Sequence, residues 1–310
     1  MKTLASSLSL ARLVAIALLL AGLSWAATRL DWQLIGHYLA SASIPAVIAM
    51  AVAYTIGQFI RPLRMLILIR AMFPISWRHY GIVWAADAIA MAANCIAPMR
   101  AGDAIIPFIL RRQLGTSAAR VFPILIVDRF FDFATVVGIF VSTLVAAPTV
   151  APWADHAIFA LLAGLAIVVF GLWLAIHKRD LWAAILARLE SHRTPHVEGG
   201  WTSKVRDLLG GFKIVDNVRT VAPALVLSIL QWSMTTLSYW LGAIAIFPQT
   251  SPIAAAFTAA AVALSFVIPL TPAGIGIFQA AAILALSLYG VPAESALAIS
   301  IVVHAVFIVS

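Results

Sequence analysis

Charged residues are scarce in this chain of 310 residues: they make up 10% of the total, while hydrophobic residues make up 63%. Soluble globular domains carry about 25% charged and about 45–50% apolar residues. The shortage of charge therefore excludes a water-soluble domain. Because each membrane crossing takes roughly 20 apolar residues, the length allows at most about ten crossings. We expect an all-α polytopic membrane protein in which residues 1–310 form a single transmembrane domain.

Cysteine is nearly absent, since Cys95 is the only one. A single cysteine excludes an intramolecular disulfide, and together with a few scattered histidines it makes no zinc site. We expect no cofactor and no resident metal.

Basic residues are missing from the last part of the chain, because no Lys or Arg follows Arg219. The whole chain still has 20 basic and 12 acidic residues, a formal net charge of +8. The basic residues lie between apolar segments, which is typical of the cytoplasmic connections of membrane proteins that meet anionic lipid headgroups. We therefore expect anionic headgroups, and no nucleic acid, as partners of a multi-pass protein in the cytoplasmic (inner) membrane.

Apolar segments separated by Pro, Gly or charged residues lie near 10–27, 45–69, 80–98, 121–149, 157–176, 221–247, 253–268, 276–290 and 293–310. The first of them, with Lys2 and Arg12 at its start, also resembles a secretory signal. Since the chain after it is itself apolar, we expect a retained first helix with a cytoplasmic N-terminus.

The connections 61–79, 100–120 and 178–219 hold 16 of the 20 basic residues, so the positive-inside rule places all three in the cytoplasm. Segment 80–98 lies between two of them and cannot be an ordinary crossing. We predict a re-entrant hairpin that breaks at Ala97-Pro98 and returns from about Gly102. A second hairpin, formed by 253–268 and 276–290 around Pro269–Gly274, would enter from the outside.

The two hairpins predict an inverted repeat. Repeat A covers about 45–149, a connecting helix 157–176 and a basic cytoplasmic loop 178–219 follow, and repeat B covers about 221–310. Inverted repeats with broken helices are typical of transporters that bind their substrate at the repeat interface. Within the loop, apolar residues at helical spacing over 181–189 fit either an interfacial amphipathic helix or a solvated linker.

Candidate binding residues surround the first predicted break: Asn94, Arg100, Gly102 and Asp103. Ionisable groups inside a bilayer cost a few kcal/mol, so they mark function by default. A helix that restarts after the break would turn free N–H groups toward an anion such as a lipid phosphate, and Arg100 could add a bidentate contact. Alternatively, Arg100 forms an ion pair with Asp103 and only stabilises the backbone at the break.

A second cluster is formed by Asp128, Arg129 and Asp132. The two aspartates share one helix face, and Arg129 reaches Asp132 at a spacing of three residues. Its net charge of minus one invites a further cation, such as Arg100 or a coupling proton. A structural ion-pair network is an equally good interpretation. Asp87, in the first arm of the first hairpin, needs a partner that the sequence does not identify.

The third cluster lies in the second hairpin and comprises Thr271, Gly274, Gly276 and Gln279. Thr271 is a good N-cap for a helix that starts at the following proline, and the glycines allow a backbone or a ligand to approach closely. Close packing of helices through small residues is the alternative. His304, in the last segment, is either a proton carrier or headgroup ligand or a satisfied core residue.

Three of these elements resemble motifs of a known family. Asn94–Asp103 resembles N-x-x-x-P-x-R-[AG]-G-E, Asp128–Asp132 resembles E-R-x-x-D, and Pro269–Gln279 resembles P-x-T-P-G-G-x-G-x-x-E. The family is the flippase-like transmembrane region of lysylphosphatidylglycerol synthases with its stand-alone relatives. The resemblance extends from about residue 45 to the C-terminus.

The sequence departs from the family motifs at three positions, and the resemblance implies a function. Gln279 is neutral where the family typically has an acid, Ala273 replaces a glycine, and His304 stands where an arginine is common. The resemblance implies translocation of phosphatidylglycerol or its aminoacylated form, or of isoprenoid-linked or hopanoid-type lipids in stand-alone members. The apolar pattern runs to Ser310 and leaves no room for an aminoacyl-transferase domain, so we expect no enzymatic activity. The last segment lacks a basic anchor, which leaves an extension past Ser310 open.

We therefore expect a lipid flippase that moves an anionic phospholipid or an isoprenoid-type lipid between leaflets, with the headgroup phosphate held near Arg100. One alternative is a membrane-embedded lipid-phosphate enzyme that uses Asp103, Asp128 and Asp132 around a divalent metal. Another is an accessory subunit that delivers lipid to a glycosyltransferase or hopanoid enzyme. A second copy of the chain or such an enzyme are the protein partners that the sequence leaves open.

Overall fold

The structure, a computed structural model, describes residues 28–96, 98–146, 154–177, 214, 217–266 and 271–309. These residues form helices joined by turns and contain no β-strand, which confirms the predicted all-α fold. The predicted first helix near 10–27 and the predicted amphipathic helix over 181–189 lie outside the described residues.

In the first half of the chain the helices are α1 (Trp32–Ala40), α2 (Ile44–Arg70), α3 (Tyr80–Ile96), α4 (Ile106–Leu114) and α5 (Ala118–Val145). Short 3-10 helices precede α3 at Trp77–His79 and precede α4 at Pro98–Ile105. The second half contains α6 (Ala154–His177), α7 (Val218–Ile246), α8 (Pro252–Ser265), a 3-10 turn at Pro272–Gly274, α9 (Ile277–Ser287) and α10 (Ala293–Val309).

Local sequence explains several helix ends. Asp31 caps α1, because its carboxylate accepts hydrogen bonds from the backbone N–H groups of Gln33 (2.9 Å) and Leu34 (3.1 Å). Ser251 caps α8 by accepting from the N–H of Ala254 at 3.1 Å, and Pro252 occupies the first helical position. Helix α4 ends at Gly115, whose φ of 66° is open to glycine at no steric cost.

Helices α2 and α7 are, among the described residues, long and apolar enough to cross a membrane. They pack against each other along their length and run antiparallel: Met50, early in α2, faces Gly242, late in α7, while Gly57 faces Met234. At the start of α2 the N–H of Ser43 donates to the carbonyl of Ala245 at 2.9 Å. This pair therefore forms the axis of the fold.

Two apolar cores lie along this axis, and a third joins α5, α8 and α9 around Phe140 and Phe257. One surrounds Met50, Tyr239 and Phe278 and unites the start of α2 and the end of α7 with α1, α8, α9 and α10. The other surrounds Met65 and Ile124 and unites the end of α2 with α3, α4 and α5. Each predicted hairpin therefore packs into its own core, and the two cores lie at opposite ends of the α2–α7 pair.

The predicted hairpin arms correspond to pairs of helices that contact one another. Helix α3 packs against the segment Pro98–Ile105 and against α4, and α8 packs against α9. The turn Pro272–Gly274 also contacts α3, so parts of the two hairpins meet. Re-entry into a membrane and the inverted repeat (about 45–149 and 221–310) stay predictions.

One sequence interpretation was wrong. Arg61 and Arg64 were assigned to a cytoplasmic connection over 61–79, but α2 continues to Arg70 and both side chains are buried within the fold. Two of the 16 basic residues used to assign cytoplasmic connections therefore give no information about which side of the membrane a connection faces. Arg70, at the end of α2, instead stacks its guanidinium 3.9 Å from the ring centre of Trp77.

Candidate functional site

The candidate site begins with two arginines inside the otherwise apolar helix α2. Arg61 is 6% exposed and Arg64 is fully buried. They lie three residues apart, so both side chains leave the same face of the helix. A buried guanidinium stays charged and must find acceptors within the protein.

Arg64 finds its acceptors on two other helices. Its Nε donates to Asp128 Oδ1 at 2.7 Å, and its Nη1 donates to Asp132 Oδ1 at 2.7 Å. Nη1 also donates to the hydroxyl of Ser228 on α7. Because Asp128 and Asp132 are one turn apart on α5, a single guanidinium bridges both, and it ties α2, α5 and α7 together.

Arg129 connects the same cluster to the first hairpin. Its Nε lies 3.1 Å from Asp103 Oδ2, and its Nη1 donates to Asp132 Oδ2 at 3.4 Å. Asp103 Oδ1 in turn accepts from the side-chain amide of Asn94 at 2.8 Å. The amide oxygen of Asn94 accepts from the N–H of Gly102, also at 2.8 Å. The hairpin residues are thus held to α5 through carboxylates.

Gly102 fits this place for steric reasons. A Cβ at position 102 would overlap the carbonyl oxygen of Ala90 and would lie 2.7 Å from the amide oxygen of Asn94. Glycine therefore permits the close contact between α3 and the segment that follows it.

The partner of Asp87 is Arg61, whose Nη2 lies 3.1 Å from the carboxylate. Both side chains are buried, so this pair fastens α2 to α3 inside the fold. Asp103, Asp128 and Asp132 also lie near enough to interact electrostatically with Arg61. All these groups form one network, which we call the ion cluster: Arg61, Arg64, Asp87, Asp103, Asp128, Arg129 and Asp132.

The ion cluster has a buried side and an accessible edge. The side chains of Arg64 and Asp128 are fully buried, whereas those of Arg129, Asp103 and Asp132 are 26%, 23% and 16% exposed. Nη2 of Arg129 has no hydrogen-bond partner among the residues that the structure describes. That nitrogen is itself buried, although the Arg129 side chain as a whole is partly exposed at the edge of the cluster.

The second hairpin is held by neutral hydrogen bonds. His304 Nε2 lies 3.0 Å from the carbonyl oxygen of Ala273, so Nε2 carries the proton and Nδ1 accepts. Gln279 Nε2 then donates to His304 Nδ1 at 3.0 Å, while Gln279 Oε1 accepts from the N–H of Gly276 at 2.7 Å. The ring of Phe278 stacks on His304, with 4.3 Å between ring centres. This chain links α10 to the turn before α9.

The turn before α9 differs from the sequence expectation. Thr271 was expected to cap a helix that starts at Pro272, but only a single 3-10 turn begins there, and the α-helix starts at Ile277 after Gly276. The hydroxyl of Thr271 donates instead to the carbonyl of Ile275 at 2.8 Å. The reason is the backbone itself, because residues 273, 274 and 276 have φ values of 50°, 72° and 86°, outside the helical region.

Most of the predicted site residues come together in two groups. Those in the ion cluster or bonded to it are Asn94, Gly102, Asp103, Asp128, Arg129 and Asp132; those at the second hairpin are Thr271, Gly274, Gly276, Gln279 and His304. Arg100 lies in the 3-10 segment Pro98–Ile105, and its side chain is outside the described part of the structure.

Sequence reasoning missed four residues of the ion cluster or its shell: Arg61, Arg64, Ser228 and Trp232. The sequence predicted a further cation beside Asp128 and Asp132 and suggested Arg100 or a proton. In the structure Arg64 occupies this place. Trp232 contributes an indole N–H, which donates to Asp132 Oδ1 at 3.2 Å. A signal was present, because Arg61 and Arg64 interrupt an apolar segment long enough to span a membrane.

Metal-binding geometry is not found in the described residues, which contain no group of three or more His, Cys, Asp or Glu placed to hold a metal ion. The carboxylates of Asp128 and Asp132 point at guanidinium groups. The arrangement is that of an ion-pair network whose charges compensate one another.

Comparison with protein families decides the assignment. The sequence matches the family described as "Lysylphosphatidylglycerol synthase TM region" over residues 12–309, which is nearly the whole chain. The chain belongs to this family. As a lysylphosphatidylglycerol synthase transmembrane region, it is a membrane protein of lipid metabolism or transport. No curated protein and no solved structure matches the chain.

Two departures of this lysylphosphatidylglycerol synthase transmembrane region from the motif pattern noted above are in contact. Gln279 stands at the position of an acid and His304 at the position of an arginine, and the two side chains hydrogen-bond to each other. In this chain the pair is neutral. The second hairpin is connected to α10 through this pair and through the bond from His304 to Ala273.

Proposed function

We propose that the protein is a lipid flippase that moves an anionic phospholipid or an isoprenoid-type lipid between the leaflets of the cytoplasmic membrane. The observation that carries the proposal is the ion cluster, which joins α2, α3, α5 and α7 in the interior of a membrane protein. Charges in such a position are costly, so they are retained for function by default. Membership of a family of membrane proteins in lipid metabolism or transport supports the same proposal.

The accessible edge of the ion cluster is where we propose that a headgroup phosphate binds. The Arg129 side chain is partly exposed there and carries a buried, unpartnered Nη2, which a phosphate oxygen would reach once the edge opens; a phosphate oxygen suits a guanidinium better than a neutral donor does. Arg100, in the adjacent 3-10 segment, would add a second contact. The acyl tails would stay in the bilayer while the headgroup passes through the protein.

The helix arrangement suggests how access alternates. The two hairpins pack into separate cores at opposite ends of the α2–α7 pair, and the second hairpin also packs on α5. We propose that the predicted inverted repeats rock around the ion cluster, as in other transporters with broken helices. The transport step involves no covalent chemistry, so we propose no enzymatic activity.

The basic residues outside the cluster fit a role at the membrane surface. Arg111 and Arg112, in the last turn of α4, and Arg120, in the first turn of α5, are exposed. We propose that they contact anionic headgroups of the cytoplasmic leaflet and thereby orient the chain.

Reconstitution tests the proposal. Purified protein in vesicles that contain a fluorescent or chemically accessible anionic lipid should exchange that lipid between leaflets faster than empty vesicles do. Arg129→Gln should slow exchange about tenfold or more, since a hydrogen bond to a charged group contributes about 1.5–3 kcal/mol. Arg78→Gln, which removes an exposed arginine outside the ion cluster, should not. Exchange no faster than in empty vesicles, for each of several anionic lipids, would contradict the proposal.

A further inference from the structure

Arg129 presents one edge of its guanidinium without an aligned acceptor. Its Nη1 donates to Asp132, whereas Nε and Nη2 are buried nitrogens that have no hydrogen-bond partner among the described residues. Nε and Nη2 lie on the same side of the planar group, so their N–H bonds point in the same direction. Two parallel N–H groups of this kind bind both oxygens of a carboxylate or two oxygens of a phosphate. The edge therefore suits a bidentate oxyanion.

The carboxylate of Asp103 lies at this edge but does not fill it. Its Oδ2 is 3.1 Å from Nε of Arg129, which makes the two groups an ion pair. The N–H of Nε does not point at that oxygen closely enough for a hydrogen bond. The two side chains are 23% and 26% exposed, so water weakens the attraction between them. Asp103 therefore holds the edge by charge and without an aligned bond to it.

Asp103 is held more firmly by its own hairpin. Its Oδ1 accepts from the side-chain amide of Asn94 at 2.8 Å, and the amide oxygen of Asn94 accepts from the N–H of Gly102 at 2.8 Å. These bonds join the end of α3 to the 3-10 segment Pro98–Ile105, so the three residues belong to one structural unit. Arg129 lies on α5 and belongs to another. The contact between Asp103 and Arg129 therefore crosses the boundary between the first hairpin and α5.

A phosphate at this edge would compete with Asp103 directly. It accepts from Nε and Nη2 of Arg129 together, and bidentate bonds between charged groups are stronger than a partly exposed ion pair. Once the phosphate is bound, its negative charge stands beside the carboxylate, and like charges at such a short distance repel each other. The repulsion acts on Asp103 and, through the bond to Asn94, on the end of α3 as well.

We propose that Asp103 is a displaceable occupant of an anion site on Arg129, and that a headgroup phosphate which takes its place releases the first hairpin from α5. The inference rests on the proposed flippase function and adds to it the step by which binding starts the movement of a hairpin. When the headgroup leaves, the carboxylate returns and closes the edge. Asp103 is a positioning residue in this scheme, because it acts on Arg129 and on the hairpin and does not itself hold the lipid.

Hydrogen exchange tests the release of the hairpin. The protein is placed in nanodiscs of phosphatidylcholine, with or without added phosphatidylglycerol, and deuterium uptake is followed by mass spectrometry. We expect the amides within Pro98–Ile105 to exchange severalfold faster when phosphatidylglycerol is present, since a segment that loses its contacts opens more often. Residues 247–250, between α7 and α8, are the internal control and should not change. Arg129→Gln should abolish the response. No acceleration in the unaltered protein would overturn the inference.

Binding measurements test the competition. Dihexanoylphosphatidylglycerol, a water-soluble lipid, is titrated onto the protein in phosphatidylcholine nanodiscs, with empty nanodiscs as the blank. Asp103→Asn keeps the shape of the side chain and removes its charge, so it should bind this lipid about fivefold more tightly. Asp103→Glu restores a carboxylate and should bind like the unaltered protein. Glu294→Gln, which removes a carboxylate outside the ion cluster, should also leave binding unchanged. Equal or weaker binding by folded Asp103→Asn would overturn the inference.

Lipid movement in vesicles separates this inference from the flippase proposal. If the unaltered protein moves anionic lipid between leaflets but shows neither the faster hydrogen exchange nor the tighter binding of Asp103→Asn, the inference is overturned and the flippase proposal stands. If lipid moves no faster than in empty vesicles, that result counts against the flippase proposal itself.

Discussion

Arg64 is the residue on which the buried charge balance depends. It is fully buried and it is the hydrogen-bond partner that Asp128 and Asp132 share. Removing one partner of a buried ion pair leaves an uncompensated charge, which costs more than the pair itself contributes. The contribution of Arg64 to stability is therefore best measured by replacing its side chain alone and together with that of Asp128.

We expect Arg64→Met to lower the free energy of unfolding by about 3–5 kcal/mol, because two carboxylates lose their shared counter-ion. Arg64→Met with Asp128→Leu should recover much of that loss, since Asp132 keeps Arg129 and Trp232 as partners. Thermal unfolding in detergent measures both. Arg78→Met, at an exposed position before α3, is the control and should leave the transition unchanged. A double variant as unstable as the sum of both single changes would contradict this view of the network.

The Gln279–His304 pair gives a second prediction at the residue scale. Gln279→Glu places a carboxylate oxygen against the accepting Nδ1 of His304. His304→Arg brings a guanidinium next to an amide. Each single change should therefore lower the free energy of unfolding by about 1–3 kcal/mol. The double change creates an ion pair in the same place. We expect a coupling energy of about 1 kcal/mol or more in a double-mutant cycle of thermal unfolding. Strictly additive effects would show that the two positions act independently.

At the scale of elements, the first hairpin depends on the absence of a side chain at position 102. Gly102→Ala should destabilise the protein and disturb the bond between Asn94 and Asp103, since its Cβ would overlap the carbonyl oxygen of Ala90. The control is Gly81→Ala in the same hairpin, where a Cβ meets nothing within 4 Å and helix propensity favours alanine by up to about 1 kcal/mol. Thermal unfolding should move in opposite directions for the two variants. A neutral Gly102→Ala would show that α3 and the following segment are not tightly packed.

The sequence predicted most helix limits to within a few residues, because long apolar runs end at Pro, Gly or charged residues. It failed at α1, where the segment over 32–40 is short and mixed in polarity. The end of α2 at Arg70 agrees with the predicted segment 45–69, but the assignment of Arg61 and Arg64 to a cytoplasmic connection over 61–79 was wrong. Which carboxylates compensate these arginines depends on contacts between distant parts of the chain, and no local pattern encodes those contacts.

At the scale of the whole molecule, the antiparallel α2–α7 pair fixes which loops share a side. The end of α2 lies beside the start of α7, and the start of α2 lies beside the end of α7, as the bond from Ser43 to Ala245 shows. If α3 and α4 form a re-entrant hairpin, the loops before α3 and after α4 lie on one membrane face. The loop between α7 and α8 would then lie on the other face.

Cysteine labelling distinguishes these topologies. Cys95→Ser yields a chain without cysteine, into which Ser76→Cys, Ser117→Cys or Ser251→Cys can be introduced singly. In sealed vesicles of one orientation, an impermeant maleimide should label positions 76 and 117 from the same side and position 251 from the opposite side. Labelling of 76 and 117 from opposite sides would mean that α3 crosses the membrane outright. The predicted inverted repeat would then be wrong.

The bridge from Arg64 to Asp128 and Asp132 also bears on biosynthesis. Its members are separated by 64 and 68 residues along the chain. While the ribosome adds α3 and α4, helix α2 already exists with the guanidinium of Arg64 unneutralised, which is unfavourable in a lipid environment. We therefore expect helix α2 to remain in contact with the insertion machinery until α5 has been synthesised. Helices would then enter the membrane in the order in which their charges are neutralised, and not simply in the order of synthesis.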